Sequence, residues 1–144
     1  MALKMEPKVR IYLVVNHEAV TSGELARILG LAPDESWDKG SPFYRGDKER
    51  HRRYNRWSVV ELIDDLTEMQ GAVDRLASRV NPIRKNFACL PLGSRIGFTL
   101  ELTTEQLVFG IALTREQIRF WASIGADVDM SIVVLTPPPS EATR

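Results

Sequence analysis

Cysteine is almost missing from this chain. Cys89 stands alone among 144 residues, so no disulfide can close within the chain and no cysteine-rich zinc framework can form. Its neighbours Ala88 and Leu90 suit a small buried apolar residue rather than a nucleophile. Histidine is scarce as well, with only His17 and His51. Nineteen basic residues balance nineteen acidic ones, so no global field draws the protein to nucleic acid or an anionic membrane. No apolar run approaches the roughly 20 residues that span a bilayer. Residues 1–7 lack the apolar segment of a signal peptide, so a cytoplasmic location and no membrane partner are expected.

Catalytic motifs are also absent. No serine or cysteine lies in a nucleophile motif. Gly93-Ser-Arg-Ile-Gly97 is too sparse for a nucleotide fingerprint and precedes a strand, where such a loop needs a helix. Asp127 and Asp129, like Asp64 and Glu68, form pairs with no third metal ligand assigned. No catalytic, cofactor-binding or metal-ligating residue follows, and a non-enzymatic protein without a cofactor is expected.

What remains is a well-patterned core. Its length fits one domain, read as residues 1–136, followed by a flexible proline-rich tail over 137–144 that cannot pack as a sheet. Val9, Ile11, Leu13 and Val15 alternate in a strand. Thr21 and Glu24 have capping-box spacing ahead of a helix whose stripe is Leu25, Ile28 and Leu29. Gly30 and Pro33 end it. Residues 34–56 read as a long loop with a short strand, followed by a second strand over 53–59. A stripe at Val59, Leu62, Leu66, Met69, Val73, Leu76 and Val80 predicts one long helix with Ser58 as N-cap, Glu61 completing a capping box and Asn81-Pro82 as stop. Its solvated face holds Glu61, Asp64, Asp65 and Glu68.

A connection over 83–94 follows. Ile96, Phe98, Leu100 and Leu102, then Leu107, Phe109, Ile111 and Leu113, predict an antiparallel hairpin. Thr114 and Gln117 open a last helix with Ile118, Trp121, Ala122 and Ile124 inward and Gly125 as stop. Val128, Met130, Ile132 and Val134 alternate in a closing strand. The order β-α-β-α-β-β-α-β implies an α+β fold: a mainly antiparallel sheet with helices on one face, ferredoxin-like or related.

The unusual segment is Tyr44 to Trp57, where Arg45, Lys48, Arg50, Arg52, Arg53 and Arg56 crowd between aromatics. Arginine fits anions and aromatic faces can stack on bases; a solvated hairpin whose charges protect an edge is the plain alternative. Trp37, Trp57 and Trp121 read as core anchors, Trp37 also as cover for a sheet edge. The candidate docking set is therefore Trp37, Lys39, Arg45, Arg50, Arg52, Arg53, Tyr54 and Arg56, with Asp64, Asp65 and Glu68 as an acidic helix face. The expected partner is another protein. Single-stranded nucleic acid at 44–57 is the first alternative, and a small ligand held between sheet and long helix is the second.

Several stretches carry a resemblance: Val9-Arg-Ile-Tyr12, Leu25-Ala-Arg-Ile-Leu-Gly-Leu-Ala-Pro33, Ser36-Trp-Asp-Lys-Gly40, Trp57-Ser58, Leu113-Thr-Arg-Glu-Gln-Ile118 and Ile124-Gly-Ala-Asp-Val-Asp-Met-Ser-Ile132. In this order they cover most of residues 8–135, and the chain resembles a bacterial family known only as domain of unknown function 4279. The resemblance implies a small free-standing α+β domain and imports no catalytic residue. Immunity partners of bacterial toxins are comparable in class and size.

Overall fold

The computed structural model describes residues 8–104 and 112–134. The 137–144 tail and residues 107–111 of the expected hairpin lie outside them. Seven strands and three α-helices are described: β1 (Lys8–His17), α1 (Ser22–Leu29), β2 (Glu35–Trp37), β3 (Pro42–Arg45), β4 (Lys48–His51), β5 (Asn55–Ile63), α2 (Met69–Val80), β6 (Arg95–Thr104), α3 (Arg115–Ser123) and β7 (Asp127–Val134). Short 3-10 turns cover Leu66–Glu68 and Asn81–Cys89. Among the described residues no helix is long and apolar enough to cross a membrane.

The fold is α+β with a mixed five-stranded sheet in the order β2-β5-β1-β6-β7, and β3–β4 forms a separate hairpin. β1 lies at the centre, antiparallel to β5 and β6, while β7 runs parallel to β6. This differs from the expected order. Both edges of β6 are taken, by β1 and β7; residues 107–111, expected as its hairpin partner, lie outside the described residues.

Register explains the core. Val15 pairs with Trp57 and Ile96, Leu13 with Val59 and Phe98, Ile11 with Leu100, and Val9 with Ile63 and Leu102. This face meets Leu25 and Leu29 of α1, Val73 and Leu76 of α2, and Trp121 of α3 in one buried cluster. The helices thus cover one face of the sheet. Between the sheet and α2 these side chains are buried together.

The expected long helix is corrected. Residues 59–63 belong to β5, where Trp57, Val59 and Ile63 point inward. Helix α2 starts only at Met69. Ser58 accordingly caps nothing; its hydroxyl donates to the Glu35 carbonyl at 3.1 Å. Glu61 lies in the inward register opposite Ile11 and meets Arg79 at 3.5 Å and Arg75 at 3.6 Å. A carboxylate at this position hid the alternation of the strand. After Val80 the chain does not stop but tightens into the 3-10 turn, which buries Ile83 and Phe87. Cys89, expected inside, is exposed at the end of that turn.

Helix ends mostly follow the sequence. Thr114 and Gln117 form the reciprocal capping box of α3. Thr21 accepts from the Glu24 N–H at 3.2 Å, but the Glu24 carboxylate turns to Arg27 instead of closing a box. In α3, Trp121 and Gln117 are buried whereas Ile118 is 47% exposed and Ala122 is exposed. The inward stripe is therefore Gln117, Trp121 and Ile124. Gln117 is held inside by its amide, which donates to Asp74 of α2 at 3.0 Å.

Candidate functional site: a basic and aromatic groove

The face of the sheet away from the helices is polar and open. Its residues stand in transverse rows set by the register. One row is Trp37, Arg56, Asn16 and Arg95 on β2, β5, β1 and β6. Further along the strands lie Glu35, Tyr12, Arg10 and Glu101, with Asp127 and Asp129 on β7. The basic end and the acidic end of this face are thus separated by strand position.

The β3–β4 hairpin closes over the basic end. Its return passes through Arg52, whose N–H donates to the Ser41 carbonyl at 2.9 Å, while the Gly40 N–H donates to the Arg52 carbonyl at 2.8 Å. The Arg52 guanidinium is layered with two rings, 3.8 Å from the centre of Trp37 and 4.0 Å from that of Phe43. The Arg56 guanidinium lies 4.6 Å from Trp37, and its Nε donates to Asn16 Oδ1 at 2.8 Å. Arginine stacks on aromatic faces while its planar fork of donors stays available at the edge. Burial holds Arg56 below the usual arginine range, and Arg52 and Arg10 act in the same direction.

The result is a groove of about 590 Å³ lined by Trp37, Phe43, Tyr54 and His51 with Arg45, Arg50, Arg52, Arg53 and Arg56. None of these five guanidiniums forms an ion pair with a carboxylate among the described residues. His51 Nδ1 donates to the Gly40 carbonyl at 2.9 Å. A second depression of about 710 Å³ adjoins at Trp37, Arg52 and Arg56, and there the carboxylates of Asp34, Glu35 and Glu101 take part. Those acids already have partners: Glu35 meets Arg10, Asp34 meets Arg79 at 2.8 Å, and Glu101 accepts from the Tyr12 hydroxyl at 2.7 Å. Burial and the Glu101 carboxylate raise the Tyr12 phenol to about 12.

Seven residues of the expected docking set meet here: Trp37, Arg45, Arg50, Arg52, Arg53, Tyr54 and Arg56. Trp37 is a half-buried wall of the groove, not a core anchor like Trp57 and Trp121, both fully buried. Lys39 lies outside the groove's lining; its backbone N–H donates to Asn55 Oδ1 at 2.7 Å. Asp64, Asp65 and Glu68 form no helix face. They lie between β5 and α2, where Asp65 caps the 3-10 turn by accepting from the Thr67 N–H at 2.9 Å. That hydrogen bond lowers the Asp65 carboxyl below its ordinary range.

Sequence reasoning missed Phe43, Asn16 and Arg95. Arg95 had a signal, as the outward residue before the alternation of β6; the other two acquire a place only through the fold. The Trp37-Asp-Lys-Gly40 stretch is explained by scaffolding. Asp38 Oδ1 accepts from the Ser22 N–H at 2.8 Å, at the start of α1. Gly40 adopts φ +87°, a turn open to glycine at little cost. The stretch fastens Trp37 between helix and hairpin.

With this geometry in view, the class is that of a small α+β domain built on a mixed five-stranded sheet. The family described as Domain of unknown function (DUF4279) matches residues 7–135, and the chain belongs to it. No curated protein and no solved structure matches the chain.

Proposed function

We propose that this protein is a non-enzymatic docking module that receives an acidic segment of a partner protein in the groove under the β3–β4 hairpin. The observation behind this reading is the set of five arginines around one groove with no carboxylate partner among the described residues. Guanidiniums stay protonated at neutral pH and present only donors. They suit holding an anion rather than moving protons. The stacked Arg52 and the half-buried Arg56 have lost rotamer freedom before any partner arrives, which lowers the entropic cost of binding. Such a module is regulatory in type, and immunity proteins are one class of this kind. The acidic helix face has no part in this reading, because Asp64, Asp65 and Glu68 lie on no common helix.

Single-stranded nucleic acid is the second reading. Tyr44, 71% exposed on the hairpin, favours it. Against it, guanidiniums already lie over the rings of Trp37 and Phe43, the rings on which bases would stack. Affinity capture from the native cell separates the two. The wild type should retain a protein that the exposed-residue variant Arg50→Glu/Arg53→Glu loses. Retention by both, or retention of nucleic acid alone, contradicts the protein-docking reading.

A further inference from the structure

We infer that the occupant is an extended acidic polypeptide segment lying across the sheet from the hairpin to Arg95, not a compact anion held at Arg52 alone. This rests on the docking reading above and specifies the shape of the partner.

Three observations support it. First, the groove does not end at Arg56. It meets a second trough of about 470 Å³ at Tyr54, lined by Asn16, His17, Glu18, Ala19, Gly93, Ser94 and Arg95. Arg56 is bonded to Asn16 at the junction, and the Arg95 guanidinium lies 5.9 Å from the Tyr54 ring centre. Second, the row Trp37, Arg56, Asn16, Arg95 crosses four adjacent strands. Three gaps between neighbouring strands make about 14 Å, which an extended chain covers in about four to five residues. Third, charge fixes the direction. A segment laid along the strands would run onto Glu35, Glu101, Asp127 and Asp129, where the one added cation, Arg10, is already paired with Glu35. Laid across them, it meets Arg52, Arg56 and Arg95, with Glu18 as the single carboxylate in the lining of both troughs. Like charges repel a wrong register as effectively as opposite charges reward the right one.

Fluorescence anisotropy with labelled triglutamate and octaglutamate tests this, using wild type, Arg95→Glu, and Arg84→Glu as a control on the 3-10 turn at 81–89. Octaglutamate should bind wild type at least tenfold tighter than triglutamate. Arg95→Glu should lose about tenfold for octaglutamate and leave triglutamate unchanged, and Arg84→Glu should change neither. The milder Arg95→Gln should fall between wild type and Arg95→Glu. Equal affinity of the two peptides, or octaglutamate binding indifferent to Arg95, overturns the extended occupant while leaving the groove as an anion site. Failure of wild type to bind either peptide overturns the docking reading and this inference together. A preference for an eight-residue oligothymidylate over octaglutamate overturns the polypeptide occupant.

Discussion

Trp57 and Trp121 are both fully buried, yet their indole nitrogens live in different circumstances. Trp57 Nε1 donates to the Leu31 carbonyl at 2.9 Å. Trp121 Nε1 has no partner among the described residues, and its ring is stacked on Phe98 with centres 4.4 Å apart. Replacing either by phenylalanine removes ring volume and leaves a small void, on the order of 1 kcal/mol. At Trp57 the change also strands the partly buried Leu31 carbonyl, adding about 1–2 kcal/mol. At Trp121 it removes a buried donor that has no partner among the described residues, which returns about 1–2 kcal/mol. Trp57→Phe should therefore cost about 2–3 kcal/mol and Trp121→Phe about zero, a gap of at least about 2 kcal/mol. Urea unfolding followed by far-ultraviolet circular dichroism reads both without relying on the altered fluorophore. Equal losses would refute the reasoning, and a larger loss at Trp121 would mean that its N–H is satisfied.

Asp38→Ala should destabilise by about 2 kcal/mol, since it removes a charge-assisted hydrogen bond at the start of α1, whereas Asp38→Asn keeps an acceptor and should cost less than half as much by thermal melting. His17→Ala should cost about 2–3 kcal/mol, because His17 Nδ1 accepts from the Ala19 and Val20 N–H groups and Nε2 donates to the Leu92 carbonyl, all at 2.9 Å. In a titration at 295 nm, Tyr12 should ionise near pH 12 against an ordinary value of 10.0. The raised value means the folded state holds this proton more tightly, so the associated stability is complete below pH 10 and is lost as pH rises toward 12. Tyr12→Phe should remove that part of the alkaline loss, and Glu101→Gln should lower the midpoint.

The sequence was most readable where one side chain type held one face without interruption. The alternations of β1 and β7, the Thr114–Gln117 box and the glycine stops at Gly30 and Gly125 all fall where patterning put them. Reading failed at 58–68 because inward strand residues Val59 and Ile63 line up with α2 residues at spacings that mimic a helix, while Glu61 interrupts the strand period. The order of strands in the sheet was not legible either, because alternation marks a strand and its two faces but not the strand it pairs with. Ile118 shows a third limit: a stripe names a face, but neighbouring elements decide how much of it is covered. The arginine run was visible as a local excess. Its conversion into a groove was not, because that depends on Trp37 and Phe43 stacking on Arg52 and on Arg95 arriving from a strand about forty residues later.

The central claim is that the arginines under the β3–β4 hairpin receive an acidic chain. Arginine side-chain Nε–H resonances, assigned by substitution and followed by two-dimensional nuclear magnetic resonance during titration with octaglutamate, address it directly. The account predicts shifts at Arg52, Arg56 and Arg95, fading as salt is raised, with Arg27, Arg75 and Arg79 unmoved in their existing ion pairs. Shifts spread evenly over all arginines, or confined to residues outside the groove, would contradict it.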